Sequence, residues 1–278
     1  MRALLLAFLL LATSTVRGDE TVAWRIPDPD DLLIMRLEGG DVIIELAPDL
    51  APRNVAQMKA LIRAGKLAGS DFYRVIGNFV AQGGLEHDRD DIAKLPAEFE
   101  FESKALISFT RVARDDPFAP ETGFWRGFAL GRDEGAGRAW PIHCPGVMAM
   151  ARDSDPDSAS SEFYFPIGQA PRHLDRNLTV IGRVLAGFEL IEGARRGDRS
   201  IANGVIADRA ARTPIRDFAI ASDLPEAARP VIRVRNTDHP EFLALLDAQR
   251  RRESDFWVHR PRPWLDICTV SVPVRLGE

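Results

Sequence analysis

The most informative stretch of the sequence is Phe72-Tyr-Arg-Val-Ile-Gly-Asn-Phe-Val-Ala-Gln-Gly-Gly84. It contains two short apolar runs, at residues 72–76 and 79–82, which predict two strands ended by a glycine pair. Arg74 and Gln82 are polar residues within these runs, and a buried guanidinium requires a partner or a function. The alternative is an arginine at a strand end whose head group reaches water along its stem. This stretch alone leaves both interpretations open.

The preceding residues predict a hairpin and a helix. Residues 32–37 and 41–46 are strand patterns joined by Gly39 and Gly40, which is the spacing and turn chemistry of a β-hairpin. Pro52 suits the first turn of a helix. Apolar residues recur after it at helical spacing, namely Val55, Met58, Leu61 and Ile62.

Strand patterns return further along the chain with one more helix among them. The predicted strands cover residues 146–151, 162–167, 178–184 and 215–221, and the predicted helix covers 188–195. Many short strands with only two helices are typical of a closed β-barrel capped by helices. The expected fold class is therefore mainly β.

Two segments depart from this pattern. Residues 85–141 mix acidic clusters with a glycine-rich run and isolated aromatics, which predicts a long, loop-rich insertion with a short strand or two. Residues 222–278 form a C-terminal extension that we expect to pack on the barrel. Within it, a helix is predicted at 240–251 and an alternating, strand-like run at 267–274.

The segment 72–84 resembles the signature of the cyclophilins, in which Phe-x-Arg-Val-Ile is followed by Phe and then by Gln-Gly-Gly. Other matches follow in the family's order, and they are Ala51-Pro-Arg-Asn-Val55, Gly146-Val-Met-Ala-Met-Ala-Arg152, Asp157-Ser-Ala-Ser-Ser-Glu-Phe-Tyr164, His173-Leu-Asp175, Val180-Ile-Gly-Arg-Val184 and Gly187-Phe-Glu-Leu-Ile191. The resemblance covers residues 31–221 apart from the insertion, and it implies a cyclophilin-like barrel domain.

The resemblance also implies the site. Arg74 matches the catalytic arginine, and Gln82 matches the glutamine that orients it. The substrate-binding positions that the resemblance implies are Phe72, Phe79, Val80, Met150, Ala151, Arg152, Glu162, Tyr164, His173 and Leu174. Among these, Phe79, Val80, Tyr164 and Leu174 match the proline pocket, and Ala151 and Arg152 match backbone that hydrogen-bonds an extended peptide.

Three positions depart from the family pattern. Glu162 stands where many members have glutamine, His173 where some have tryptophan, and Leu178 where some have histidine. Glu162 either pairs with Arg74 and restrains it, or accepts a hydrogen bond as an amide would. Neither His173 nor Leu178 supplies the main charge, so we expect the arginine and its pocket to be intact.

Composition narrows the possible partners. The formal net charge is −5, whereas nucleic-acid-binding surfaces usually carry a basic excess, so nucleic acid is disfavoured. No two of the five histidines (His87, His143, His173, His239 and His259) lie at ligand spacing with a carboxylate or a cysteine, so no metal site is expected. The resemblance implies no cofactor.

The N-terminal residues predict export. Arg2 supplies a positive charge, residues 3–12 are apolar, and residues 13–18 are short and mostly small, as in a secretory signal peptide. A membrane span needs about 20 apolar residues, which this run lacks. We therefore expect a signal peptide at 1–18, cleaved after Ser14 or after Gly18, and an exported mature protein, periplasmic or secreted according to the host envelope.

Cys144 and Cys268 are the only cysteines of the chain. Export leads to a compartment where disulfides persist, so a bridge between them is expected to attach the extension to the barrel. The alternative is two separately buried thiols, each acting as a small hydrophobe.

The expected function is cis-trans isomerisation of X-Pro bonds in exported polypeptides, carried out by a monomer. One rival is a non-catalytic module that binds proline peptides or acts as a chaperone with the same groove. Another is a structural envelope protein whose contacts come from the insertion and the extension. Arg74 and Gln82 favour catalysis, because a simple binder needs no arginine at the prolyl nitrogen.

Overall fold

A computed structural model describes residues 23–86 and 91–277. The predicted signal peptide and His87 lie outside these residues. No helix within the two described ranges is long and apolar enough to cross a bilayer.

Most of the regular structure is β. The strands are β1 (Trp24–Arg25), β2 (Leu32–Leu37), β3 (Gly40–Leu46), β4 (Asp71–Ile76), β5 (Val80–Gly84), β6 (Phe101–Glu102), β7 (Thr110–Asp116), β8 (Ala119–Trp125), β9 (Phe128–Asp133), β10 (Arg138–Pro141), β11 (Val147–Met150), β12 (Glu162–Pro166), β13 (Val180–Ala186), β14 (Thr213–Pro214), β15 (Asp217–Ile220), β16 (Ile232–Arg235) and β17 (Val274–Leu276). The α-helices are α1 (Pro52–Arg63), α2 (Phe188–Glu192) and α3 (Pro240–Arg251).

The central nine-stranded sheet has the order β14-β4-β5-β12-β11-β13-β3-β2-β15. Its two outermost strands, β14 and β15, belong to one short segment, residues 213–220, and pair with β4 and β2 respectively. Between them, the Ile215 amide donates to the Ser70 carbonyl and the Arg216 amide donates to the Arg36 carbonyl, both at 2.8 Å. This segment therefore joins both edges and curls the sheet into a barrel.

The barrel interior is filled by one face of each strand, as the alternation in the sequence predicts. Phe163 lies at its centre and makes edge-to-face contacts with Phe72, Phe165 and Phe218. Helix α1 covers one end of this core with the apolar residues that suggested it, Val55, Met58, Leu61 and Ile62.

Helix α2 is shorter than the predicted 188–195. It ends at Glu192, and the Gly193 amide bonds back to the Glu189 carbonyl as the C-cap. Glycine is a common helix terminator, and this one lies inside the predicted range.

The insertion is more ordered than predicted. Residues 101–141 form a five-stranded antiparallel sheet of order β6-β10-β9-β8-β7, so the expectation of loops with a strand or two is wrong. Strands β8 and β9 are joined by Arg126 and Gly127, both with positive φ, as in a tight hairpin turn. Charged residues obscured the pattern because they pair across strands, as Arg132 does with Glu121 at 2.8 Å.

The extension contains α3 as predicted, but the prediction of a strand at 267–274 is wrong. A 3-10 turn covers Ile267–Thr269, where the Asp266 carboxylate accepts from the Cys268 amide at 2.9 Å. Within this run only Val274 lies in a strand, β17, which belongs to a three-stranded sheet of order β1-β16-β17. Ile267 and Val270 are buried against the barrel, and their spacing of three positions fits a 3-10 turn.

An apolar cluster joins the barrel, the insertion and the extension. Val147 and Val180 of the barrel share it with Phe124 of the insertion and with Phe242 of α3. At its edge the structure contains a disulfide between Cys144 and Cys268, whose Cα atoms lie 5.0 Å apart across 124 positions of sequence.

The small sheet is held to the barrel by a buried ion cluster. Arg25 of β1 and Arg183 of β13 both donate to Glu45 of β3, at 2.8 and 3.0 Å. Burial alone raises the pKa of Glu45, but the two guanidinium groups outweigh it and hold that pKa below its ordinary value.

We expect the protein purified without reductant to show no free thiol after denaturation. Replacing both cysteines by serine should lower the free energy of unfolding by at most about 4.7 kcal/mol, the figure for closing a loop of about 100 residues. Urea unfolding measures this difference, which should vanish when reductant is added to both proteins. Two titratable thiols in unreduced protein would show that the bridge does not form.

Candidate active site

Arg74 and Gln82 are brought together by the pairing of β4 with β5, where they lie directly opposite each other. The register of this pair shifts between Asp71 and Arg74, which is a β-bulge. Phe72 and Val75 therefore both enter the barrel core, while Tyr73 and Arg74 between them both lie on the outer face.

Two contacts hold the Arg74 guanidinium. Its Nη1 donates to Gln82 Oε1 and its Nε donates to the carbonyl of Asn203, both at 2.9 Å. The side chain is half-buried, and this burial lowers the pKa of Arg74. Since an arginine pKa starts above about 12, the group remains a cation at neutral pH.

The other end of the Gln82 amide is also fixed. Its Nε2 donates to Glu162 Oε2 at 3.0 Å and also to the Tyr73 hydroxyl, which itself donates to Glu162. Burial, together with the Glu162 carboxylate, raises the pKa of Tyr73, so the phenol stays a neutral donor. A carboxylate only accepts and a guanidinium only donates, so the amide presents its oxygen to Arg74.

The hydrogen bonds of Glu162 favour one of its two predicted roles, that of a hydrogen-bond acceptor. The carboxylate binds Gln82 and Tyr73, and within the described residues no ion pair joins it to Arg74. Glu162 thus accepts hydrogen bonds and contacts Arg74 through Gln82.

An apolar pocket lies beside the arginine. Across the strands β4, β5, β12 and β11, one register row contains Arg74, Gln82, Tyr164 and Ala149 in that order. Tyr164 therefore lies two strands away from Arg74, and adjacent strands of a sheet are about 4.8 Å apart. The residues predicted to form the proline pocket belong to one apolar cluster there, namely Phe79, Val80, Tyr164 and Leu174.

His173 extends one wall of the pocket. Its ring stacks on Phe79 with a centroid distance of 6.2 Å and an interplanar angle of 12°. At the opposite end, the Ala151 amide donates to the Glu162 carbonyl at 2.9 Å. The Arg152 side chain is directed away, with its guanidinium bound to the Asn177 carbonyl.

Two predicted substrate-binding residues are placed elsewhere. Phe72 and Met150 are 0% and 1% exposed and belong to the barrel core. Their side chains therefore pack in the barrel core, and their assignment as substrate-binding residues stays a prediction. Each is next in sequence to a residue of the site, and alternation along a strand sends neighbours to opposite faces.

A buried polar network supports the pocket from below, and the sequence did not reveal it. Arg172 donates to Asp175 at 2.6 Å and to Asp116 of the insertion at 2.9 Å. Burial lowers the pKa of Arg172, but the two carboxylates outweigh burial and raise it. Asp175 also accepts from the His143 amide, and the His143 ring stacks on Tyr164.

Tyr73 and Asn203 are the other residues that the sequence did not single out. Tyr73 lies within the stretch 72–84, where strict alternation would direct it away from Arg74. Asn203 lies about 130 residues further on, and nothing local to it indicates a contact with β4. Across residues 23–86 and 91–277, no group of three or more His, Cys, Asp or Glu side chains is arranged to hold a metal ion.

Comparison with known proteins agrees with this geometry. Residues 32–213 match the family model of the cyclophilin type peptidyl-prolyl cis-trans isomerase/CLD. A probable peptidyl-prolyl cis-trans isomerase of Brucella suis is 30% identical over 194 residues, which cover 64% of this chain and 78% of that protein. The peptidyl-prolyl cis-trans isomerase CYP23 of Arabidopsis thaliana is 27% identical over 176 residues, covering 62% of this chain and 65% of that protein.

A solved structure extends the likeness beyond the barrel. The crystal structure of cyclophilin AquaCyp293 from Hirschia baltica has a TM-score of 0.73 and 31% sequence identity, covering 91% of this chain and 93% of that one. The matched family model spans well over half of the chain, and it includes both strands that position Arg74 and Gln82. The chain therefore belongs to the cyclophilin family and is a peptidyl-prolyl cis-trans isomerase.

Proposed function

We propose that Arg74 accelerates rotation of X-Pro bonds by stabilising the twisted amide. The observation that carries this proposal is the position of its guanidinium, held by Gln82 and Asn203 beside the apolar pocket. Among the described residues, Nη2 of Arg74 makes no hydrogen bond, so it is available to a substrate.

Rotation of the prolyl bond is accelerated by a positive charge that stabilises the twisted amide. Conjugation of the prolyl nitrogen with its carbonyl gives a rotation barrier of ~18–20 kcal/mol. As the bond twists, the lone pair localises on nitrogen, and a donor aimed at that nitrogen stabilises the twisted state more than the planar one. The pocket of Phe79, Val80, Tyr164 and Leu174 holds the proline ring while the preceding carbonyl rotates.

The surrounding hydrogen bonds keep the arginine oriented before substrate arrives. Glu162 and Tyr73 hold the nitrogen of the Gln82 amide, so its oxygen is directed at Arg74. Such preorganisation avoids reorganisation during the reaction. Glu162 and Tyr73 are therefore positioning residues for Arg74.

We further propose that the substrates are proline-containing segments of exported proteins. Residues 1–18 have the composition of a signal peptide. The Cys144–Cys268 bridge supports this setting, because disulfides persist mainly in oxidising compartments.

Arg74→Ala should lower kcat/KM for a short X-Pro peptide by a factor of roughly 100 to 1,000, the usual effect of removing one preorganised donor. NMR exchange spectroscopy measures the rate, and circular dichroism should show an unchanged fold. Arg36→Ala is the matched control, since Arg36 is a half-exposed arginine paired with Asp217 on another part of the barrel. Full activity in well-folded Arg74→Ala protein would refute the mechanism.

Substitutions of Glu162 separate its acceptor role from its charge. Glu162→Gln keeps one acceptor oxygen, so kcat/KM should change by less than about tenfold, or roughly 1.4 kcal/mol. Glu162→Ala removes the partner of the Gln82 amide, so it should reduce activity more than Glu162→Gln does. A gain above tenfold in Glu162→Gln would show instead that the charge restrains Arg74.

Export is tested by fractionation of cells that have an outer membrane. When the full chain is expressed, its product should be recovered in the periplasmic fraction, and mass spectrometry should show a mature protein that begins at Thr15 or Asp19. A chain lacking residues 1–18 should remain in the cytoplasm. Recovery of the uncleaved full chain in the cytoplasm would contradict the proposal.

A further inference from the structure

A groove of about 410 Å³ lies next to the proline pocket and shares the Phe79 wall with it. Three parts of the chain line this groove: the barrel with Phe79 and His173, the turn between β7 and β8 with Phe118, and the extension with Trp264. Phe118 is 51% exposed and Trp264 is 42% exposed, although both are large and apolar. Exposed apolar side chains gathered in one groove are typical of a binding surface.

The Phe118 wall is held in place by buried charges. The Phe118 amide donates to Asp116 Oδ1 at 2.9 Å, and the Arg172 guanidinium lies 5.1 Å from the centroid of the Phe118 ring. Arg172 is itself 8% exposed and bound to Asp116 and Asp175. The turn of the insertion is thereby attached to the loop that contains His173.

The Trp264 wall is held by its backbone. Arg252 donates to the Trp264 carbonyl at 3.2 Å. Leu265, the next residue, is buried in the cluster shared with the barrel, and the disulfide at Cys268 follows closely. Both aromatic walls thus stand on anchored backbone while their rings remain accessible.

The register of the barrel defines where the groove lies relative to a bound peptide. On the paired strands β5 and β12, Val80 lies opposite Pro166 and Gly84 lies opposite Glu162. These ends are four residues apart, or roughly 13 Å. The groove is at the Val80 end, and Ala151, which bonds to Glu162, is at the other end.

We infer that this groove is a substrate subsite that takes an aromatic or large apolar side chain close to the proline, on the side away from Ala151. The inference rests on the proposed function, because an extended peptide with its proline in the pocket continues past Phe79 into the groove. Aromatic rings favour such an occupant, since offset or edge contacts add to burial of apolar area. The insertion and the extension thereby select substrates.

The test uses a short peptide with proline between alanines and derivatives with one phenylalanine at each flanking position. With wild-type protein, phenylalanine on one flank should raise kcat/KM about threefold to tenfold over the alanine peptide. In Trp264→Ala and in Phe118→Ala, the ratio between the two peptides should fall towards one. Phe256→Ala is the matched control, since Phe256 is an exposed aromatic of the same extension outside the groove, and it should keep the ratio.

Equal rates for all peptides with wild-type protein would overturn the inference, as would a preference that survives both groove substitutions. Neither result affects the mechanism assigned to Arg74, because turnover of the alanine peptide and its loss in Arg74→Ala report that separately. Circular dichroism and the thiol count verify that each variant is folded and bridged.

Discussion

Closure of the nine-stranded sheet is the constraint on which the rest of the structure depends. One segment, residues 213–220, hydrogen-bonds to both edges of the sheet, so every strand between them has one face inside and one outside. Because the side-chain period of a strand is two, a slip of one residue would exchange these faces. Closure therefore determines the register that aligns Arg74, Gln82, Tyr164 and Ala149.

Buried charges attach the additional segments to this barrel. Glu45 joins β1 to β3 and β13 through two arginines, and Arg172 joins the insertion to the loop behind the pocket. Desolvation makes such clusters weak contributors to net stability, but breaking one partner leaves an unpaired charge, which costs about 3–5 kcal/mol. We regard their role as selecting one arrangement of the barrel and the added segments, since each cluster is complete only in that arrangement.

The sequence predicted the parts of the molecule that follow a simple period. The hairpin at β2 and β3, helices α1 and α3, and the strands around Arg74 all follow from apolar spacing. The bulge before Arg74 does not follow from apolar spacing, because it interrupts alternation for one residue and depends on pairing with β5. The sheet of the insertion was missed because its strands contain many charged residues, such as Arg132 and Glu121, which pair across the sheet. The run at 267–274 misled because its buried residues Ile267 and Val270 lie around a 3-10 turn and not along a strand.

The small sheet has a consequence for the order in which the chain completes its fold. Trp24 of β1 pairs with Arg235 of β16, about 210 residues later, and β16 pairs in turn with β17. Contacts of such separation form late, because a long loop must close before they can. During synthesis, β1 precedes its strand partner β16 by about 210 residues, so it can contact Glu45 of β3 long before it can pair with another strand. A product that ends before β16 would therefore display the Trp24 edge of β1 without its strand partner.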